Sequence, residues 1–92
     1  MAKLTAEQIT TGLERIPSWQ GDTSGISRGY KFRDFVQAMG FVNRVALVAE
    51  KADHHPDIGV SYNRVVLTLV THSEGGVTDN DINMAETINA LD

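Results

Sequence analysis

The spacing of apolar residues predicts that the chain begins with an amphipathic helix. Ile9, Leu13 and Ile16 recur at intervals of three or four, which places them on one face of a helix over about residues 5–16. Thr5, with Gln8 three residues later, matches a capping box at its start. The proline that directly follows residue 16 ends it.

Residues 18–33 change to the alternating pattern of a β-hairpin. The stretch GDTSG has the composition of a turn. After it, Ile26, Tyr30 and Phe32 fall on one side of an extended strand. We therefore expect two antiparallel strands here.

A long helix is predicted next, from a cap at Asp34 to about Ala52, and it has two apolar stripes. The first stripe consists of Phe35, Met39, Val42, Ala46 and Ala49. The second stripe consists of Phe41, Val45 and Val48. A helix that is apolar on two faces needs two covers, so we expect its own sheet on the first and a second copy of the chain on the other. A single wide core face is the alternative.

Two more strands and a final helix complete the pattern. Residues 57–62 and 64–71 read as strands around the turn-prone Asn63, and the second is apolar on both faces, which is typical of a central strand. Thr78 is predicted to cap the last helix. Its inward side chains are Ile82, Ala85, Ile88 and Leu91. The fold class predicted for residues 1–92 is one α+β domain, a four-stranded antiparallel sheet with helices packed on one face.

Composition excludes several classes of function. A net charge of −4, with eight scattered basic residues, argues against a nucleic-acid surface. Because the chain has no cysteine, disulfides and thiol chemistry are excluded. No apolar stretch approaches the length of a membrane span, and the charged amino terminus is unlike a signal peptide. We therefore expect a cytoplasmic protein that binds neither nucleic acid nor membrane.

All three histidines lie between residues 50 and 72. His54 and His55 stand where the long helix must stop, because Pro56 disfavours helical geometry in the residue before it. Glu50, four residues before His54, is expected to contact that ring. Asp53 adds a second acid beside the pair. Histidine titrates near neutrality, so such a cluster suits proton transfer at physiological pH.

The third histidine, His72, is predicted at the far end of the last strand, and Asp81 in the first turn of the last helix. Three interpretations compete: a metal site, a set of unrelated structural residues, and a metal-free acid–base site. Neighbouring residues at a helix end point about 100° apart, which makes His54 and His55 awkward ligands for one ion. For any one of these residues taken alone, a structural role is the simpler explanation.

The spacing of these residues resembles the signature of the pterin-4a-carbinolamine dehydratases. It runs from Glu50 through His54-His55-Pro56, Tyr62 and His72 to Asp81. The flanking runs YKFRDFVQAMGFVNRVALVAEKADHHP and VVLTLVTHSEGGVTDNDINMA are similar to the family as well, as is the position of Trp19. The resemblance covers essentially the whole chain.

The resemblance implies a hydro-lyase that converts 4a-hydroxytetrahydrobiopterin to quinonoid dihydropterin and water, in tetrahydrobiopterin recycling. The pterin is the substrate, and neither a metal nor another cofactor is implied. His54 and His72 are expected to transfer protons, and His55 to bind and orient the pterin. Which ring is the acid and which the base stays open.

Supporting roles follow from the same resemblance. Glu50 would support His54, and Asp81 would orient His72 or the substrate, unless it only caps its helix. Trp19 would stack on the pterin, unless it is a core anchor, and Pro56 would set the backbone.

The resemblance also implies a homo-oligomer, a dimer or tetramer, formed through the long helix that contains Phe41, Val45 and Val48. Some relatives act as dimerisation cofactors for a homeodomain transcription factor. A non-catalytic, helix-mediated interaction module is therefore the alternative function.

Overall fold

The computed structural model describes residues 2–91, which form three α-helices, one short 3₁₀ helix and four strands. In chain order they are α1 (Ala6–Glu14), β1 (Gln20–Asp22), β2 (Gly25–Lys31), α2 (Phe35–Ala52), β3 (Asp57–Ser61), β4 (Arg64–Leu69), the 3₁₀ helix (His72–Glu74) and α3 (Asp79–Asn89). The strands form one antiparallel sheet in the order β1-β2-β4-β3. The predicted α+β fold class is confirmed.

Each α-helix begins at the polar residue that the sequence indicates. Thr5 and Thr78 form capping boxes, in which the threonine side chain and the side chain three residues later each accept a backbone hydrogen bond. Asp34 caps α2 by accepting a hydrogen bond from the amide of Gln37 at 2.8 Å. These caps satisfy amides that have no partner within the helix.

Strand β4 lies in the middle of the sheet, as its two apolar faces predict. It pairs with β2 on one side and with β3 on the other. Val65, Leu67 and Leu69 are fully buried, whereas Val66, which points to the opposite face, is 49% exposed. One face of the sheet is therefore packed and the other is open.

The core lies between the packed face of the sheet and the helices. Its largest fully buried side chains come from every layer, and they include Phe41, Ile16, Ile26, Leu67, Leu69, Ile82 and Ile88. Helices α1 and α3 approach closely at Gly12, where a Cβ atom would stand 3.1 Å from Cδ1 of Ile82. Burial of these apolar side chains is the main favourable term in folding.

The prediction that the second stripe on α2 faces another copy of the chain is wrong, because both stripes contribute to the core, as in the alternative of a single wide core face. Phe41 and Val45 are fully buried and Val48 is half-buried, so these residues do not form the surface between copies that was predicted. The Phe41 ring packs against Tyr30 at 4.5 Å and Phe32 at 5.1 Å between centroids. These aromatic contacts with the sheet fix the rotation of the helix.

Other apolar side chains of α2 are exposed. Phe35 is 50% exposed, Val36 79% and Leu47 72%. Val36 and Leu47 are eleven residues apart, close to three helical turns, and so they lie on the same face. Across residues 2–91, no helix has both the length and the apolar character that a bilayer crossing requires.

Candidate active site

The end of α2 is shaped so that the chain turns sharply before His54. Asp53 has left-handed backbone angles, with φ 51° and ψ 42°. The amide of Asp53 donates to the carbonyl of Glu50, and the amide of His54 donates to the carbonyl of Ala49, both at 3.1 Å. This pair of bonds is the Schellman ending of a helix, and aspartate is one of the few residues besides glycine that adopts its left-handed position. Asp53 therefore has a structural role here.

The predicted site residues His54 and Asp81 contact each other. Nε2 of His54 lies 2.6 Å from Oδ1 of Asp81. The Asp81 side chain is fully buried, whereas the imidazole is 16% exposed. The ring therefore connects a buried carboxylate with the protein surface.

The second carboxylate oxygen of Asp81 is held by two threonines. Oδ2 accepts a hydrogen bond from the Thr71 hydroxyl at 2.8 Å and one from the Thr78 amide at 2.9 Å. Oδ1 is then directed at His54, where it can accept the Nε2–H proton. In this arrangement the free ring nitrogen, Nδ1, carries the lone pair, as in a histidine oriented by a carboxylate for general base catalysis. Asp81 therefore both caps the first turn of α3 and contacts a histidine.

Glu50 was expected to contact His54, and the structure shows that it contacts His55 instead. Oε1 of Glu50 lies 2.5 Å from Nε2 of His55. The two side chains are 79% and 53% exposed. The left-handed turn at Asp53 changes the chain direction, so the spacing of four residues no longer describes one helix surface. An ion pair this exposed contributes about 0–1 kcal/mol.

His72 lies at the same end of the sheet as His54, but not on a strand. Strand β4 ends at Leu69, and His72 opens the 3₁₀ helix with an exposed side chain. Because Asp57 at the start of β3 pairs with Thr68 near the end of β4, the segments before β3 and after β4 leave the sheet at one end. The hydrogen bonds of the Asp81 carboxylate go to His54 and to two threonines, so the expected contact with His72 is not formed.

Two further predicted site residues are buried. Trp19 is 3% exposed, and its Nε1 donates a hydrogen bond to Oδ1 of Asn89 at 2.9 Å, so the core-anchor alternative describes it. Pro56 is also buried, between the histidine pair and β3. Thr71 was missed as a site residue, although its position immediately before His72 was a signal in the sequence.

His55 and His72 are exposed at the surface, and His54 is exposed only in part. A hollow of about 380 Å³, lined by residues of α1 and by Leu4, Arg15 and Asp79, contains none of the three histidines. A second hollow, of about 290 Å³, lies on the open sheet face over Gly29. Within residues 2–91 no group of three or more His, Asp or Glu side chains is arranged to hold a metal ion.

Comparison with known proteins identifies the family. The sequence model described as "Pterin 4 alpha carbinolamine dehydratase" matches residues 2–91. A relative from Acidobacterium capsulatum, named "Putative pterin-4-alpha-carbinolamine dehydratase", is 50% identical over 91 residues and is covered over 99% of both chains. A relative from Gloeobacter violaceus, named "Putative pterin-4-alpha-carbinolamine dehydratase 2", is 52% identical, and the match covers 92% of this chain and 97% of the relative.

Solved structures agree with this result. A crystal structure from Brucella melitensis, described as a transcriptional coactivator/pterin dehydratase, superimposes with a TM-score of 0.91 at 46% identity and covers 97% of each chain. A pterin dehydratase-like protein described as a RuBisCO assembly factor shares the fold, with a TM-score of 0.66 at 22% identity over 79% of this chain and 84% of its own. The chain belongs to the pterin 4 alpha carbinolamine dehydratase family.

Proposed function

We propose that this protein is a 4a-hydroxytetrahydrobiopterin dehydratase that works by histidine acid–base catalysis. The observation that carries the proposal is the contact of His54 with the fully buried Asp81, beside the segment that bears His72. A carboxylate that orients an imidazole at a partly exposed position is an arrangement suited to proton transfer. Membership of the dehydratase family supplies the reaction class.

The reaction needs one acid and one base. The hydroxyl at C4a leaves as water once it is protonated, which breaks the C4a–O bond. N5 gives up its proton, and its electron pair forms the C4a=N5 double bond of the quinonoid dihydropterin. The two proton transfers balance, so the reaction requires no redox partner.

The geometry supports a division of roles among the three histidines. Nδ1 of His54 faces away from the carboxylate contact and is the nitrogen available for a proton of the substrate. His72 is exposed at the same end of the sheet and is proposed as the other proton-transfer group. His55, exposed and paired with Glu50, is proposed to bind and orient the pterin.

A rate measurement with chemically generated carbinolamine tests this function. The protein should accelerate the decay of the ultraviolet signal, and His54→Ala and His72→Ala should each slow it by about 10²–10⁴-fold, the usual range for a general acid or base. Lys51→Ala, an exposed change next to Glu50, serves as the control and should keep the rate. Protein treated with a chelator should keep it too. Equal rates in both histidine variants and the wild type refute the assignment.

The exposed apolar face of α2 favours a second candidate function, an interaction module. Val36 and Leu47, which lie on one face of the helix, offer two exposed apolar side chains to a partner. We propose that this face, and not the buried Phe41 and Val45, carries any self-association or binding of a partner helix. Binding that is lost in Leu47→Glu but kept in His54→Ala would support the module, and binding that needs the histidines would exclude it. A cytoplasmic location remains part of the proposal.

A further inference from the structure

The Asp81 carboxylate is positioned by a short chain of hydroxyl groups. Oγ1 of Thr71 lies 2.8 Å from Oδ2 of Asp81 and 2.9 Å from Oγ1 of Thr78. The Thr78 hydroxyl also accepts the amide of Asn80, at 3.2 Å. Thr78 and Asp81 are fully buried, so these groups depend on one another for hydrogen bonds.

The direction of each bond in this chain can be assigned from the donors available. The single hydroxyl hydrogen of Thr71 is donated to Asp81, so its oxygen must accept from the Thr78 hydroxyl. The amide of Thr78 donates to the same Asp81 oxygen. Both donors therefore act on Oδ2, and Oδ1 is left for His54.

We propose that Thr71 is a positioning residue that fixes the orientation and tautomer of His54 through Asp81. The inference rests on the proposed function for its catalytic consequence. With the Thr71 hydroxyl in place, the carboxylate presents Oδ1 to Nε2–H of His54 and leaves the lone pair at Nδ1, the nitrogen that we propose acts on the substrate. Without that hydroxyl, Oδ2 loses one of its two donors and the carboxylate can rotate away from the ring.

The backbone of Thr71 is held independently of its side chain, which makes the hydroxyl separable from the fold. Its amide donates to the carbonyl of Gly76 at 3.0 Å, and its carbonyl accepts the amide of Glu74 at 3.0 Å. Valine has nearly the same shape as threonine and favours the same extended backbone. Thr71→Val should therefore remove the hydrogen bonds and keep the turn.

The experiment compares Thr71→Val, Thr71→Ser and a control, Thr68→Val, which removes a hydroxyl from β4 outside the network. Two-bond ¹H–¹⁵N NMR correlations at about pH 8.5, above the usual titration of imidazole, report the tautomer of His54 without any substrate. The wild type should show the Nε2–H form. Thr71→Val should convert part of the population to the Nδ1–H form, and Thr71→Ser and Thr68→Val should not.

The rate of dehydration gives the second measurement. Thr71→Val should lower kcat by about 10–100-fold, the effect of one lost hydrogen bond to a charged group, and Thr71→Ser should restore most of it. An unchanged His54 tautomer in Thr71→Val, or an equal change in Thr68→Val, overturns the proposal. An inactive wild type refutes the dehydratase function instead, and the tautomer measurement still decides whether Thr71 positions the ring.

Discussion

Replacing Asp81 by asparagine tests the link between the buried carboxylate and the imidazole of His54 that we propose is catalytic. The asparagine oxygen can still accept from Thr71 and from the Thr78 amide, as Oδ2 of Asp81 does. Its NH₂ group then replaces Oδ1 and faces Nε2 of His54, 2.6 Å away in the wild type. Two donors cannot face each other, so the imidazole must place its lone pair at Nε2 and its proton at Nδ1.

The expected loss in rate follows from this inversion of the tautomer. A ring whose lone pair points at residue 81 cannot take a proton from the substrate, which should lower kcat by about 10²–10⁴-fold. That range corresponds to about 3–5 kcal/mol of transition-state free energy. The loss of stability should be smaller, about 1–3 kcal/mol for one altered hydrogen bond to a buried charged group.

The assay measures both quantities on one pair of variants. Stopped-flow decay of the carbinolamine gives kcat, and urea unfolding gives the free energy of unfolding. Glu86→Gln is the matched control, since it makes the same change in an exposed ion pair with Arg15, outside the site, and should alter neither quantity by more than about 1 kcal/mol. A folded Asp81→Asn protein with a rate within threefold of wild type refutes the reasoning, as would an equal loss in Glu86→Gln.

Three further predictions concern the surface and the fold. If the exposed face of α2 carries self-association, Leu47→Glu should lower the molecular mass that light scattering measures in solution, and an unchanged oligomer contradicts this. Val45→Glu should instead unfold the protein, because Val45 is fully buried. Hydrogen bonds from the Ser24 hydroxyl, and then from the Ser24 amide, lower the pKa of Asp22 below 3.8. The stability that these bonds contribute is therefore present above pH 3.8 and is lost as the pH falls through the lowered pKa. Ser24→Ala should raise the pKa of Asp22 in a ¹³C NMR titration, and an unchanged midpoint would show that Ser24 does not cause the shift. Asp53→Val should cost about 1–2 kcal/mol more than Asp53→Gly in urea unfolding, because φ is 51°; equal stabilities would show that the turn is unstrained.

The element order was predictable because its signals are local. Each cap, such as Asp34 or Thr78, lies within three residues of the amide it satisfies. The central position of β4 followed from the apolar residues on both of its faces. Physical features of this kind depend on neighbouring residues and are visible in the sequence.

The rotation of α2 could not be predicted from its sequence. Both stripes are apolar, and hydrophobicity alone does not show whether one of them is left for a second copy of the chain. The rotation of the helix is set by the fit of Phe41 between Tyr30 and Phe32, which are at least nine residues away along the chain. The same argument explains why the exposed Leu47 was not recognised as a surface residue.

The site was predicted as a set of residues but not as a set of contacts. His54 and Asp81 are 27 residues apart, and only the folded sheet brings them together. The pairing of Glu50 with His55 depends on one left-handed residue, Asp53, whose conformation has no hydrophobic signature.

The decay rate of 4a-hydroxytetrahydrobiopterin in the presence of the protein tests the central claim most directly. The wild type should accelerate it in proportion to enzyme concentration, and the double variant His54→Ala/His72→Ala should reduce the rate to that of buffer. A wild-type rate equal to that of buffer, or a folded double variant as fast as the wild type, would contradict the claim.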